Sequence, residues 1–189
     1  MLAFPVLVLV QIVIMLSITP WAAWDPALVL LILGVNVLVG VGEELYFRGI
    51  LRASIRSHHG ETLTLVATSL LFGAGHALGS LMAGLPVAFI AIQIGGTALM
   101  GAVLYGAFRA TGRLWVAIAL HALSDFALRI SSGDLASASA HDLEPPAATG
   151  FIEFALWVLA LVLLISCIRQ DLRARRESRS RAPTPSTAV

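Results

Sequence analysis

The chain has 189 residues, of which 58% are hydrophobic and 12% charged, with a mean hydropathy of +0.91. A soluble domain is roughly half apolar and a quarter charged, so this surplus exceeds what one water-soluble core can hide and most of it must face lipid. The net charge is +1 and every basic residue is an arginine, which gives no case for a nucleic-acid partner. The single cysteine, Cys167, excludes an internal disulfide framework and a multi-cysteine metal site.

Six apolar segments follow in chain order, at 2–18, 27–52, 63–83, 86–108, 114–130 and 151–168. Each is near the roughly 20 residues that cross about 30 Å of hydrocarbon as a helix. A lone strand would leave backbone groups unpaired in lipid, and the alternation of a barrel is absent. The expected fold class is therefore all-α, a polytopic transmembrane helical bundle of about six spans. Its single domain covers 1–168, with a motif-bearing core at 27–130, and an Arg-rich tail at 169–189 ends in disorder. The first segment lacks a basic leader region, and Ala22-Ala23 is a weak cleavage site, so it reads as a retained helix.

Arginines set the topology. Arg52 and Arg56 lie between spans two and three, Arg109 and Arg113 between four and five, and six more from Arg169 to Arg181 follow span six. Six spans put these three segments on one side. Asp25, the 79–85 turn and the 131–150 loop, with Asp134, Asp142 and Glu144, fall on the other. The positive-inside rule then makes both termini cytoplasmic. Trp21, Trp24 and Trp115 fit the aromatic belts, and the basic tail suits an anionic lipid surface. His58, His59 and His141 sit in polar loops and read as solvated. Arg129 and Glu153 lie near span ends, where snorkelling suffices.

Polarity enters the hydrocarbon at three places. Span two carries Glu43, Glu44 and Arg48, and a charge at a helix centre costs about 2.5–3.5 kcal/mol on insertion scales. Glu44 and Arg48 are four apart with the acid first, the favourable order for a helix ion pair. Glu43 points about 100° away and has no local partner. It is either a protonated carboxyl bonded to a neighbouring helix or a carboxylate tuned for general-base work. Span three carries Phe72 and His76 on one face, with Gly75 and Gly79 spaced to admit a close helix neighbour. Span five pairs His121 with Asp125 at i,i+4, either as mutual neutralisation or as an acid orienting an imidazole. Counting about 1.5 Å per residue from the inner boundaries, Glu43 lies about 13 Å deep, His121 about 10 Å and His76 about 20 Å. A shared site then requires span three to tilt, start later or break near Gly73.

The ordered set Glu-Glu-x-x-x-Arg, Phe-x-x-x-His and His-x-x-x-Asp, over residues 43–125, resembles the CPBP family of intramembrane proteases. That family contains the type II CAAX prenyl endopeptidases and relatives linked to bacteriocin processing and self-immunity. The resemblance implies an endopeptidase in a bacterial plasma membrane, cutting a peptide or lipidated protein such as a prenylated CAAX-type substrate. Carried over, Glu43 with His76 activates water, Glu44 with Arg48 holds the acidic helix, and His121 with Asp125 stabilises the oxyanion or positions the substrate. The last position is Asn in well-known prenyl proteases, while Asp also occurs in the family; an ionised Asp accepts but cannot donate, so the resemblance implies that the oxyanion falls to His121, with Asp125 orienting it. Zinc on Glu43, His76 and His121 would leave an open fourth position, yet there is no His-Glu-x-x-His, and a metal-free glutamate mechanism needs no cofactor. Two alternatives keep the same residues: a non-catalytic membrane adaptor or bacteriocin-immunity protein, and a proton-coupled carrier relaying through Glu43, His76 and His121. The carrier lacks the visible repeat such folds carry.

Overall fold

A chain this apolar must close its backbone hydrogen bonds within each segment, and helices do so here. The computed structural model describes residues 1–133 and 147–180. It contains α1 (Ala3–Ile18), α2 (Pro26–His58), α3 (Glu61–Met82), α4 (Val87–Thr111), α5 (Leu114–Ser131) and α6 (Gly150–Ser180), and no strand among the described residues. The five from α2 to α6 are long and apolar enough to cross a membrane, and the protein is an integral membrane helical bundle. The expected first span is shorter: α1 has 16 residues, about 24 Å at 1.5 Å per residue. Its stripe of Phe4, Val8, Ile12 and Met15 is buried in the main core. A Cβ on Gly106 of α4 would come within 2.9 Å of the Phe4 ring, so α1 is set tightly into the bundle.

Local chemistry explains the helix ends. Asp25 caps α2 by accepting from the backbone of Ala27 and Leu28 at 2.8 and 3.1 Å, with Pro26 at the first helical position. The helix runs on past the expected end at Arg52 to His58, passing through a π-helical stretch at Leu45–Leu51. The cap of α3 comes from another helix. Asp171 of α6 accepts from the backbone N–H groups of Glu61 and Thr62, both at 2.9 Å. Gly112 ends α4 at φ +66, the left-handed turn that glycine adopts without strain. The Arg-rich segment expected to be disordered from 169 instead continues α6 through Ser180. A formed span supplies the nucleus, so adding Arg, Ala, Leu and Glu costs little.

The arginine-bearing ends of α2, α4 and α6 meet on one side of the bundle. Their centre is Glu61, 4% exposed, a residue that sequence reasoning passed over. It accepts from Tyr105 Oη at 2.5 Å and from Arg56 Nε at 2.8 Å, with Arg52 Nη2 at 3.5 Å. Arg109 donates to Cys167 Sγ at 2.8 Å and also bonds Gln170, so Cys167 is a buried acceptor as well as filler. At the opposite end Trp24 Nε1 donates to the Ile130 carbonyl at 2.9 Å. Glu153 accepts from Gln11 of α1 at 3.0 Å, a partner that replaces the expected snorkelling. Asp134, His141, Asp142 and Glu144 of the expected outer loop, and Arg181 of the tail, lie outside the described residues.

Helix approach depends on a different glycine from the expected pair. A Cβ on Gly73 would sit 2.4 Å from the Ile94 carbonyl and 3.0 Å from Ala98, so Gly73 is where α3 and α4 touch. Gly75 and Gly79 have nothing within 4 Å of an added Cβ. They lie on another flank of α3, turned away from α4 by the helical repeat.

Candidate active site

The three motifs converge. α2 packs on α5 and α3 on α4, and Gly40 sets the first of these contacts: its Cβ would lie 3.1 Å from Ala122 Cβ and 3.2 Å from the Ile118 carbonyl. Gly40 is one turn before Glu44 on the same face, so the small residue draws α5 against the acid. His76 also reaches the site. Because α2 continues to His58, Glu43 and His76 stand equally far from the turn joining α2 to α3. Placing the inner boundary at Arg52 is what had made His76 look too deep.

Glu44 is the buried hub. With a side-chain exposure of 0%, its Oε1 accepts from Arg48 Nη1 at 2.7 Å and from His121 Nδ1 at 2.9 Å. Arg48 Nη2 donates to the Gly101 carbonyl of α4 at 2.7 Å. One guanidinium ties α2 to α4 and one carboxylate oxygen ties α2 to α5, while Glu44 Oε2 is buried without a hydrogen-bond partner among the described residues. The wide π turn that holds Arg48 is a feature often found at functional sites. Gly101 gave no local signal in the sequence. Its role is visible only in space, where a Cβ would meet the Phe72 ring at 3.2 Å and Arg48 Nη2 at 3.5 Å.

Phe72 fills the centre. Arg48 lies over its ring, 4.5 Å from the centroid, a cation–π placement. Phe47 and His121 meet it edge-on at 5.2 and 5.5 Å, and His76 is tilted against it at 4.9 Å. Sequence reasoning found Phe72 through its spacing to His76 but missed Phe47, which has no polar motif to mark it.

Glu43 faces the other way. Its Oε2 lies 3.9 Å from Nε2 of His76 and 3.9 Å from Nε2 of His121, and that buried oxygen has no hydrogen-bond partner among the described residues. His76 Nδ1 bonds the Phe72 carbonyl at 2.9 Å. A carbonyl only accepts, so Nδ1 carries the proton, and a neutral ring then presents its Nε2 lone pair toward Glu43. Asp125 Oδ2 is 3.3 Å from His121 Nε2. Glu44 thus holds Nδ1 of His121, and Asp125 stands at the site-facing Nε2. Exposure divides the cluster. Glu43, His76 and Asp125 are 31–40% exposed, whereas Glu44, Arg48 and His121 are 3% or less.

Among the described residues no group of three or more His, Cys, Asp or Glu side chains could hold a metal ion. Comparisons with curated proteins and with solved structures return no match. A family model for type II CAAX prenyl endopeptidase Rce1-like proteins matches residues 25–127, which include all seven motif residues. That match covers more than half the chain, from the cap of α2 to the end of the His121 motif, and the chain belongs to the type II CAAX prenyl endopeptidase Rce1-like family.

Proposed function

We propose that the protein is an intramembrane endopeptidase in which Glu43 and His76 activate a water molecule against a peptide bond of a membrane-associated substrate. The observation that carries this reading is the position of Glu43 Oε2, partnerless and 3.9 Å from two imidazole nitrogens at the open edge of the cluster. Such gaps are too long for a direct hydrogen bond and short enough for one water to bridge. The water's proton passes to Glu43 as its oxygen attacks the carbonyl carbon. His121, with carboxylates opposite both ring nitrogens, turns its Nε2–H from Asp125 to the developing oxyanion. Collapse of the tetrahedral species breaks the C–N bond, and Glu43 returns the proton to the leaving amine. A peptide and a water become a carboxylic acid and an amine. Glu44, Arg48 and the Gly101 carbonyl hold His121 and touch no reacting atom.

The zinc alternative needs Glu43, His76 and His121 as ligands. His121 Nε2 faces Asp125 at 3.3 Å, which supports the metal-free reading, and no step here passes through a metal. The substrate fits a peptide or lipidated protein held at the membrane, and a CAAX-type C-terminus is the one the family's description specifies. The test is cleavage of a membrane-anchored peptide library by the protein in vesicles, with products read by mass spectrometry. Cleavage lost in His76→Ala and Glu43→Gln, at normal membrane insertion, is the expected result. An adaptor or immunity role predicts function that survives both changes, and a carrier predicts transport responding to a pH gradient.

A further inference from the structure

The first turns of α3 and the extension of α6 enclose a cleft of about 580 Å³, lined by Arg56, His59, Leu63, Val66, Asp171 and Arg175 among others. Sites that hold a small ligand run from roughly 300 to 1,000 Å³. This one straddles the edge of the hydrocarbon. On α6 the apolar run ends at Ile168, so Asp171 and Arg175 lie on its water side. On α3, Leu63 and Val66 fall in the first two turns of the apolar segment and lie on its hydrocarbon side.

The cations at the rim are held in place. Arg56 donates from Nε to Glu61 at 2.8 Å and from Nη1 to the His59 carbonyl at 3.1 Å. Its fork is thereby fixed, Nη2 enters neither bond, and the side chain is 43% exposed. Arg175 reaches the same cleft because α6 stays helical through Ser180. It stands four residues after Asp171 and so on the same helix face. Asp171 holds that face against α3 through the backbone N–H groups of Glu61 and Thr62, both at 2.9 Å. The charge of Asp171 is met there by the positive end of α3. Arg175 is exposed, and no carboxylate pairs with it among the described residues.

We propose that this cleft binds one anionic phospholipid from the leaflet at the arginine-bearing end, its phosphate met by Arg56, His59 and Arg175 and an acyl chain lying on Leu63 and Val66. The partner follows from charge and depth together. Basic pockets between helices at a membrane surface take anionic headgroups, and a guanidinium fork matches phosphate oxygens in geometry. Leu63 is 48% exposed at the level where lipid chains begin, and a free anion would leave that apolar floor unused. Attraction of a basic tail to a charged surface treats every arginine of α6 alike, whereas the cleft singles out Arg175. The bound lipid bridges α6 to α3, the helix that carries His76. The inference is independent of the hydrolytic reading, because the cleft contains none of the motif residues.

The test uses the full chain in a neutral detergent, which removes the charged surface, with phosphatidylglycerol, phosphatidylcholine or glycerol 1-phosphate added. Native mass spectrometry counts the bound molecules, and melting is followed in parallel. Expected is a single phosphatidylglycerol retained per chain, with a raised melting temperature. Phosphatidylcholine and glycerol 1-phosphate should not be retained at the same concentration. Arg175→Gln should weaken phosphatidylglycerol binding by roughly tenfold, the loss of one charged hydrogen bond. Arg173→Gln is the control, since Arg173 is also exposed but lies about 200° round the helix from Arg175, and it should bind like the wild type. Without lipid both variants should melt like the wild type, because neither side chain is buried. Equal losses in the two variants, or phosphatidylcholine held as firmly as phosphatidylglycerol, would overturn the assignment. Glycerol 1-phosphate bound as firmly as the lipid would refute a lipid occupant.

Discussion

Two adjacent glutamates receive opposite surroundings. Glu44 is fully buried and bonded through Oε1 to Arg48 and His121, whereas Glu43 is 31% exposed with its Oε2 3.9 Å from two imidazole nitrogens; each acid leaves its Oε2 without a hydrogen-bond partner among the described residues. The first pairing was legible, because an acid four residues before an arginine lie on one helix face. The second was not, because which neighbour His121 meets depends on helix register, and the sequence offered only Asp125 on its own helix. Arg48→Met leaves a buried carboxylate without its cation, and breaking such a pair costs about 3–5 kcal/mol. Thermal melting in detergent should drop accordingly. If the chemistry needs no metal, cleavage should survive dialysis against a strong chelator. Loss of activity restored by zinc would reinstate Glu43, His76 and His121 as ligands.

At the scale of elements, the spans were readable from hydropathy and their ends less so. The inner end of α2 was placed at Arg52 because charge was taken as the boundary. Arg52 and Arg56 are instead held in the helix by Glu61, and that partner lies across the turn where periodicity does not reach. The close-packing glycine was likewise misassigned. Spacing favoured Gly75 and Gly79, but contact is made at Gly73, and only the direction of α4 decides between them. The difference has opposite consequences for stability. Gly73→Ala forces a Cβ against the Ile94 carbonyl and should cost about 1–3 kcal/mol through overpacking. Gly75→Ala meets nothing and should gain about 0.5–1 kcal/mol from reduced backbone freedom in the unfolded chain. Paired melting curves in the same detergent check both signs.

For the whole molecule, arginine parity and the fold agree. Arg56, Arg109 and the Arg-bearing part of α6 gather at one end through Glu61, Asp171 and Gln170. We propose that this end is cytoplasmic. A cysteine replacing exposed Ser57 should then label only when a membrane-impermeant thiol reagent reaches the inner face, and labelling from outside intact cells would reverse the topology. The helical bundle and the gathering of arginines at one end were thus legible as pattern, while the division of contacts among the motif residues came from packing between helices. A side-by-side comparison of cleavage rate and melting for Glu43→Gln and Glu44→Gln in the same vesicles separates the two acids. Glu43→Gln should melt like the wild type and lose a factor of about 100 or more in turnover, while Glu44→Gln should melt earlier. Wild-type turnover in Glu43→Gln would contradict the proposed role of Glu43.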